Sequence, residues 1–191
     1  MRKIALLSAL VVAFASPMTA SHANDIPDTA IVPTEAMSAL KGMLGKWSVK
    51  TEMINPEGAW ATQGSDSVSI KARLNNMLFA ETHTERLSGQ SLVVETDYSY
   101  DQYRQVYRAR AMDDTFGLMD IYEGNLENGI LVLTNIRAGT SFPLDETRQM
   151  NFRLTVPVTG DERVMEIDQS IDAGETWSSF FKLTYQRIGT P

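Results

Sequence analysis

The spacing of hydrophobic and polar positions changes once along this chain. In "TEAMSALKGML", Met37, Leu40 and Leu44 fall at i, i+3 and i+7, which is one face of a helix; Thr34 stands as its N-cap and Glu35 in its first turn. From Gly45 onward the period is two. "KWSVKTEMI" puts Trp47, Val49, Thr51 and Met53 on one face. After the turn "NPEG", "DSVSIKARL" alternates Val68, Ile70, Ala72 and Leu74, and Asn75-Asn76 turns the chain into "MLFAETHTER". "SLVVETDYSY", "RQVYRARAM", "LMDIYEG", "GILVLTN", "TRQMNFRLTVP", "RVMEIDQSI" and "SSFFKLTYQRI" continue the alternation. Only "IRAGTSFPLDE" is a longer loop. About nine or ten strands joined by short turns predict antiparallel neighbours, and a sheet that long curls shut to remove its edges. The expected fold is all-β: an antiparallel up-and-down barrel with a short N-terminal helix. A Greek-key sandwich fits less well, because nearly all the links are too short.

One apolar run falls outside both periods. "MRKIALLSALVVAFASPMTASHA" has a basic start at Arg2 and Lys3, an apolar stretch from Ile4 to Ala15, and Ser21-His22-Ala23 at a small-x-small cleavage site. Residues 1–23 read as a Sec-type signal peptide cut after Ala23. The run is shorter than the ~20 residues needed to span a bilayer, so no integral membrane segment is expected after cleavage. Residues 24–33, "NDIPDTAIVP", carry two prolines and no period, and read as a flexible leader. Residues 34–191 then form a single domain in the periplasm or beyond. The chain has 191 residues and no cysteine, so it must fold without disulfides, and a lipoprotein is excluded for want of a residue to acylate. The net charge of −7 becomes more negative once Arg2 and Lys3 are removed. Such a chain has no electrostatic footprint for nucleic acid or anionic lipid.

"SIDAGETW", Ser170 to Trp177, matches the S-x-D-x-G-x-T-W string of the sialidase Asp-box. Its residues point to a turn rather than to catalysis. Asp172 accepts from backbone N–H groups, Gly174 permits positive φ, and Trp177 packs under the loop. The string occurs once, and a propeller of four-stranded blades needs a far longer chain. Gly45-Lys46-Trp47 resembles the G-x-W of lipocalins, where the glycine lets a helix hand over sharply to the first strand and the indole plugs the barrel base. That resemblance implies a cation from the last strand over the indole, for which Arg187 in "YQRIG" is the candidate, a contact worth about 0.5–2 kcal/mol. It can also bond carbonyls at the helix end.

On these residues the chain resembles a bacterial lipocalin-like (calycin-type) family known only as a domain of unknown function. That family pairs an N-terminal L-x-G-x-W with a C-terminal S-x-D-G-G-x-T-W and Y-x-R. Here the matches are Leu44 to Trp47, Ser170 to Trp177 and Tyr185 to Arg187, with Ala173 in place of one glycine and Leu44 nearer the glycine than usual. Tyr100-Asp101 also matches. The resemblance spans about residues 34–188. It implies a fold and no catalytic residue; Gly45, Trp47, Arg187, Asp172, Gly174 and Trp177 are its structural positions.

Little of the chemistry that could be sought is present. After cleavage His83 is the only histidine, so a multi-His metal site is impossible. Haem held by a late histidine, as in nitrobindin-like relatives, has no ligand here. Asp113, Asp114 and Asp120 lack calcium-loop spacing and read as solvated turn residues. No G-x-S-x-G elbow presents a serine. No cofactor is implied. Phe79, Glu81, His83 and Glu85 share one face of a strand. Facing inward, Glu81 and His83 would make a patch capable of acid–base work. The charged surroundings favour the outward, solvated placement. Arg108 and Arg110 would suit a carboxylate if inward, but Tyr107, Ala109 and Ala111 make the better inner face. The apolar inner positions are Trp47, Val49, Met53, Phe152, Leu154, Met165, Ile167, Phe181, Leu183 and Tyr185. Val49, Met53, Phe152, Met165, Phe181 and Tyr185, with His83, are the candidate ligand-binding residues, and flexible methionines suit an adaptable pocket. The expected function is binding of a small apolar or amphipathic molecule inside the barrel. The alternatives are an enzyme on the same scaffold using Glu81 and His83, or a packed interaction or structural module. The sequence does not set the oligomeric state.

Overall fold

In the computed structural model the described residues are 32–87 and 90–189, without the side chains of residues 85–87. The expected signal peptide, all but Val32 and Pro33 of the expected leader, and the tip of the "LSGQ" turn lie outside them. Eleven strands follow a short helical segment. Strands β1 (Gly45–Ile54), β2 (Trp60–Arg73), β3 (Leu78–Leu87), β4 (Gln90–Asp101), β5 (Val106–Asp113), β6 (Met119–Glu127) and β7 (Ile130–Thr134) pair in chain order. A helical turn, α2 (Asn135–Ala138), and the two-residue strand β8 (Phe142–Pro143) interrupt the meander. Strands β9 (Gln149–Pro157), β10 (Glu162–Ser170) and β11 (Ser178–Arg187) complete it. β11 pairs with β1, and β9 pairs with both β7 and β10, so ten strands close into an antiparallel up-and-down barrel with β8 appended to β9.

Alternation sets which side chains fill the tube. In β1, Trp47, Val49 and Thr51 are buried while Ser48 and Lys50 face water. Val68 and Ile70, Phe79, Tyr98, Ala109, Leu131 and Leu133, Leu154 and Val156, and Leu183 and Tyr185 meet them in one core. The turns follow local chemistry. Asn128 and Gly129, both at positive φ, make a two-residue hairpin between β6 and β7, so β6 runs three residues past the expected start of that turn.

Three expectations about local structure are corrected. Helix α1 (Pro33–Ala39) is capped by Val32 with no side-chain bond; Pro33, which lacks an N–H, opens the helix, and Thr34 lies inside it. The helix ends at Ala39 and a 3-10 turn (Lys41–Met43) follows, so Met43 rather than Leu44 completes the buried stripe of Met37 and Leu40. Ala72 and Leu74 are exposed: Leu74, Asn75 and Asn76 all have positive φ, and the turn takes up the end of the alternation. The β2–β3 ladder is short, from Lys71↔Ala80 to Arg73↔Leu78. Beyond it the Asp66 carboxylate accepts from the Thr84 N–H at 2.7 Å and stands in for a backbone rung.

Candidate functional site

One end of the barrel is sealed. Gly45 has φ +127°, and a Cβ there would lie 2.7 Å from Arg187 Nη1, so glycine serves both the backbone turn and the approach of the arginine. Trp47 is fully buried and donates from Nε1 to the Met43 carbonyl at 2.9 Å. It sits opposite Arg187 in the β1–β11 register, with that guanidinium 4.0 Å from the ring centroid. Arg187 also donates to the carbonyls of Leu44 at 2.8 Å and Gly42 at 2.9 Å, and pairs with Asp161 at 2.7 Å. Helix α1 closes the same region, and Tyr107 Oη donates to the Ala36 carbonyl at 3.1 Å.

A second guanidinium at this end was not singled out in the sequence. Arg163 is 3% exposed, 4.8 Å from the Trp47 centroid and 4.0 Å from that of Tyr185. Its Nε and Nη2 have no hydrogen-bond partner among the described residues. The signal was parity: Arg163 shares the inner face of β10 with Met165 and Ile167.

Above the plug the interior carries polar groups. Glu81 and His83 follow Phe79 inward and are 1% and 6% exposed, which corrects the outward placement expected for them. The face is fixed by Phe79, which is fully buried, and strand alternation carries the next two odd positions with it. Tyr185 Oη donates to Glu81 Oε1 at 2.9 Å, and His83 Nδ1 is 3.5 Å from the same oxygen. Thr96, opposite Glu81, is also buried. Tyr98 Oη reaches Met165 Sδ at 4.0 Å, a weak acceptor. Burial, reinforced by the Glu81 charge, pushes the Tyr98 and Tyr185 hydroxyls well above their ordinary value, and Arg163 partly opposes this. Both phenols therefore stay protonated as hydrogen-bond donors near neutral pH.

Toward the other end the inner wall meets solvent. Val49, Met165 and Phe181 are buried, whereas Met53, Val94, Ala111, Phe152 and Ile167 are half-buried on inward-facing positions. A bulge between β10 and β11 leaves Phe180 as an extra residue between the pairs Ile167↔Phe181 and Asp168↔Ser179. Its ring lies 5.7 Å from Phe152 and 6.2 Å from Phe181, and Phe142 stacks edge-on against Phe152 at 5.5 Å. The mouth is thus a partly exposed aromatic and methionine rim above Glu81 and His83. Beside it a cleft of about 430 Å³ opens between the α2–β9 loop and the β10–β11 turn, lined in part by Ile136, Ser141, Asn151 and Ile171.

The remaining marked residues lie in a turn and on the outer face of the sheet. Asp172 accepts from Ser170 Oγ at 2.6 Å, Thr176 Oγ1 at 2.5 Å and Thr176 N at 3.0 Å; these bonds hold its carboxyl down at about 2. Gly174 has φ +90°, and a Cβ there would stand 3.3 Å from the Trp177 ring, so the indole does pack beneath the turn. Arg153 lies 4.7 Å over the Trp177 ring and pairs with Asp168. Arg108 and Arg110 face outward as expected, on Glu123 and Asp101 and on Asp97 and Glu95. Asp120 is not a solvated turn residue: it is 1% exposed and takes bonds from Thr140 at 2.5 Å and Asn135 at 3.3 Å. Burial raises its carboxyl above 3.8 against those bonds. Among the described residues no three His, Asp or Glu side chains gather to hold a metal, and no helix is long and apolar enough to cross a membrane.

Residues 32–187 match a family described as "Protein of unknown function (DUF1579)". No curated protein matches the chain. Among solved structures it is similar to the crystal structure of Rv2717c from M. tuberculosis, with a TM-score of 0.55 and 17% identity over 81% of this chain and 98% of that one. At that identity the likeness shows the fold alone.

Proposed function

Because this chain belongs to DUF1579, a family of proteins of unknown function, we propose a role from its barrel: an exported, lipocalin-like (calycin-type) protein that binds a small amphipathic molecule in its interior. One observation carries the reading. Inward-facing Met53, Phe152 and Ile167 are reachable by solvent, directly above a buried layer of Glu81, His83 and Tyr185. Apolar walls supply affinity, and a few convergent polar groups fix orientation. Val49, Met165 and Phe181 form the deeper wall. The lipocalin-like part of the reading is supported by the contact of Trp47 with Arg187 and by the helix closing that end. Export rests on the sequence of residues 1–23.

The test is extraction. The mature chain is purified, its native mass is compared with its denatured mass, and an organic extract is analysed. A stoichiometric small molecule, lost in Ile167→Asp, is the expected result. An empty protein that also fails to bind an environment-sensitive naphthalene probe refutes interior binding. N-terminal sequencing of the periplasmic protein should begin at Asn24. A second reading, an enzyme, is favoured by one contact only, His83 Nδ1 at 3.5 Å from Glu81 Oε1. It gains ground if His83→Ala abolishes a turnover while leaving the fold intact.

A further inference from the structure

Two buried donor atoms of Arg163 lack an acceptor among the described residues. The flat faces of this guanidinium are engaged by aromatic rings, with Tyr185 at 4.0 Å and Trp47 at 4.8 Å. Its Nε and Nη2 edge has no partner among the described residues, although the side chain is 97% buried by its 3% exposure. A buried guanidinium edge left without acceptors is costly, and native proteins leave few such groups unexplained. A third donor, the Tyr98 hydroxyl, reaches only a thioether at 4.0 Å. Glu81 is the nearby carboxylate that acts on both tyrosines. It is bonded to the hydroxyl tip of Tyr185, whereas Arg163 covers the ring.

Nε and Nη2 together make the planar fork that receives two oxygens of one anion. We infer that the missing acceptor is the carboxylate of the amphipathic ligand, received by Arg163 and Tyr98. This rests on the interior-binding reading above. The path follows from strand β10. Met165 stands two residues up the inner face from Arg163 and Ile167 two further, at the half-exposed mouth. Four residues of strand span on the order of 13 Å, the reach of a medium-length acyl chain. Met165, flexible and holding the weak contact to Tyr98, is the side chain that must swing aside.

The experiment titrates the mature protein with decanoic and hexadecanoic acids and with the alcohols of the same lengths, following tryptophan fluorescence and calorimetry. The acids should bind at least ten-fold more tightly than the alcohols. In Arg163→Met that preference should vanish while alcohol binding stays, and Arg163→Lys should retain part of it, since an ammonium keeps the charge and loses the fork. Acids and alcohols binding alike to the wild type, or an acid preference surviving in Arg163→Met, overturns the carboxylate assignment and leaves interior binding standing. Neither series binding overturns interior binding itself, and the assignment with it.

Discussion

Replacing Arg187 by methionine removes the charge at the sealed end while keeping an unbranched apolar stem against the indole. Four contacts are lost. The guanidinium lies 4.0 Å over a fully buried Trp47, and a desolvated cation–π contact of that kind is worth about 2 kcal/mol. Two hydrogen bonds from the charged group reach the Leu44 and Gly42 carbonyls at 2.8 and 2.9 Å. Bonds to charged groups contribute about 1.5–3 kcal/mol each when buried; at this part-buried rim, where water can replace the donor, about 1 kcal/mol each is the better figure. The pair with Asp161 adds little, because that side chain is 81% exposed and such pairs are worth about 0–1 kcal/mol. The total is about 4 kcal/mol, partly offset by methionine packing on the ring. Urea unfolding of the mature chain, followed by tryptophan fluorescence, should therefore show a loss of roughly 3–4 kcal/mol. Asp161→Asn should cost under ~0.5 kcal/mol. A loss below ~1 kcal/mol for Arg187→Met would refute the plug as a source of stability.

Gly45→Ala should cost at least ~2 kcal/mol through its positive φ and through displacement of Arg187, and its effect should be less than additive with Arg187→Met in a double-mutant cycle. Arg163→Met should leave stability within about 1 kcal/mol of the wild type, because relief of a buried guanidinium edge that lacks hydrogen-bond partners offsets the loss of its contacts with the Tyr185 and Trp47 rings; a loss of ~3 kcal/mol would mean that the ring contacts dominate. The raised pKa of Asp120 predicts stability that is present below the ordinary value of 3.8 and is lost as pH rises through the folded pKa. The stability of Asp120→Asn relative to the wild type should accordingly fall as pH drops from neutral, and urea unfolding at a series of pH values that gave a flat difference would contradict this. Asp172 has the opposite sign: its bonds stabilise above 3.8 and are lost as pH falls through about 2, so an NMR titration of its carboxyl should show a midpoint near that value.

What alternation and turn chemistry reveal was legible in the sequence. The outward Arg108 and Arg110 and the Asp172 turn depend on neighbours within one hairpin, whereas the handover at Gly45 and the contact of Trp47 with Arg187, which joins the two ends of the chain, followed from the lipocalin-like resemblance. Two other features escaped for physical reasons. The bulge that turns Phe180 toward Phe152 follows from sheet curvature, which no local pattern records. The burial of Asp120 depends on Thr140, in a loop 20 residues away that read as unstructured, and on Asn135, which read as the end of the strand before it.

Glu81, His83 and Arg163 belong to a different class, because the sequence held two signals about them that disagreed. Polarity argued for water; parity with Phe79 and with Met165 argued for the interior. Parity prevails because register is a property of the whole strand. Turning Glu81 outward would require a one-residue slip that expels Phe79 and breaks the pairing of Leu78 to Leu87 with β4. One carboxylate is too weak a force for that. The strand accepts the cost of the polar group and offsets it locally, as the Tyr185 bond does for Glu81. A barrel that needed only stability would place leucine at such positions, since a well-packed apolar residue is commonly neutral or better than a buried charge. Polar residues retained against the period are therefore where function is to be sought, and in this barrel all three lie on inward faces beneath the solvent-reachable mouth.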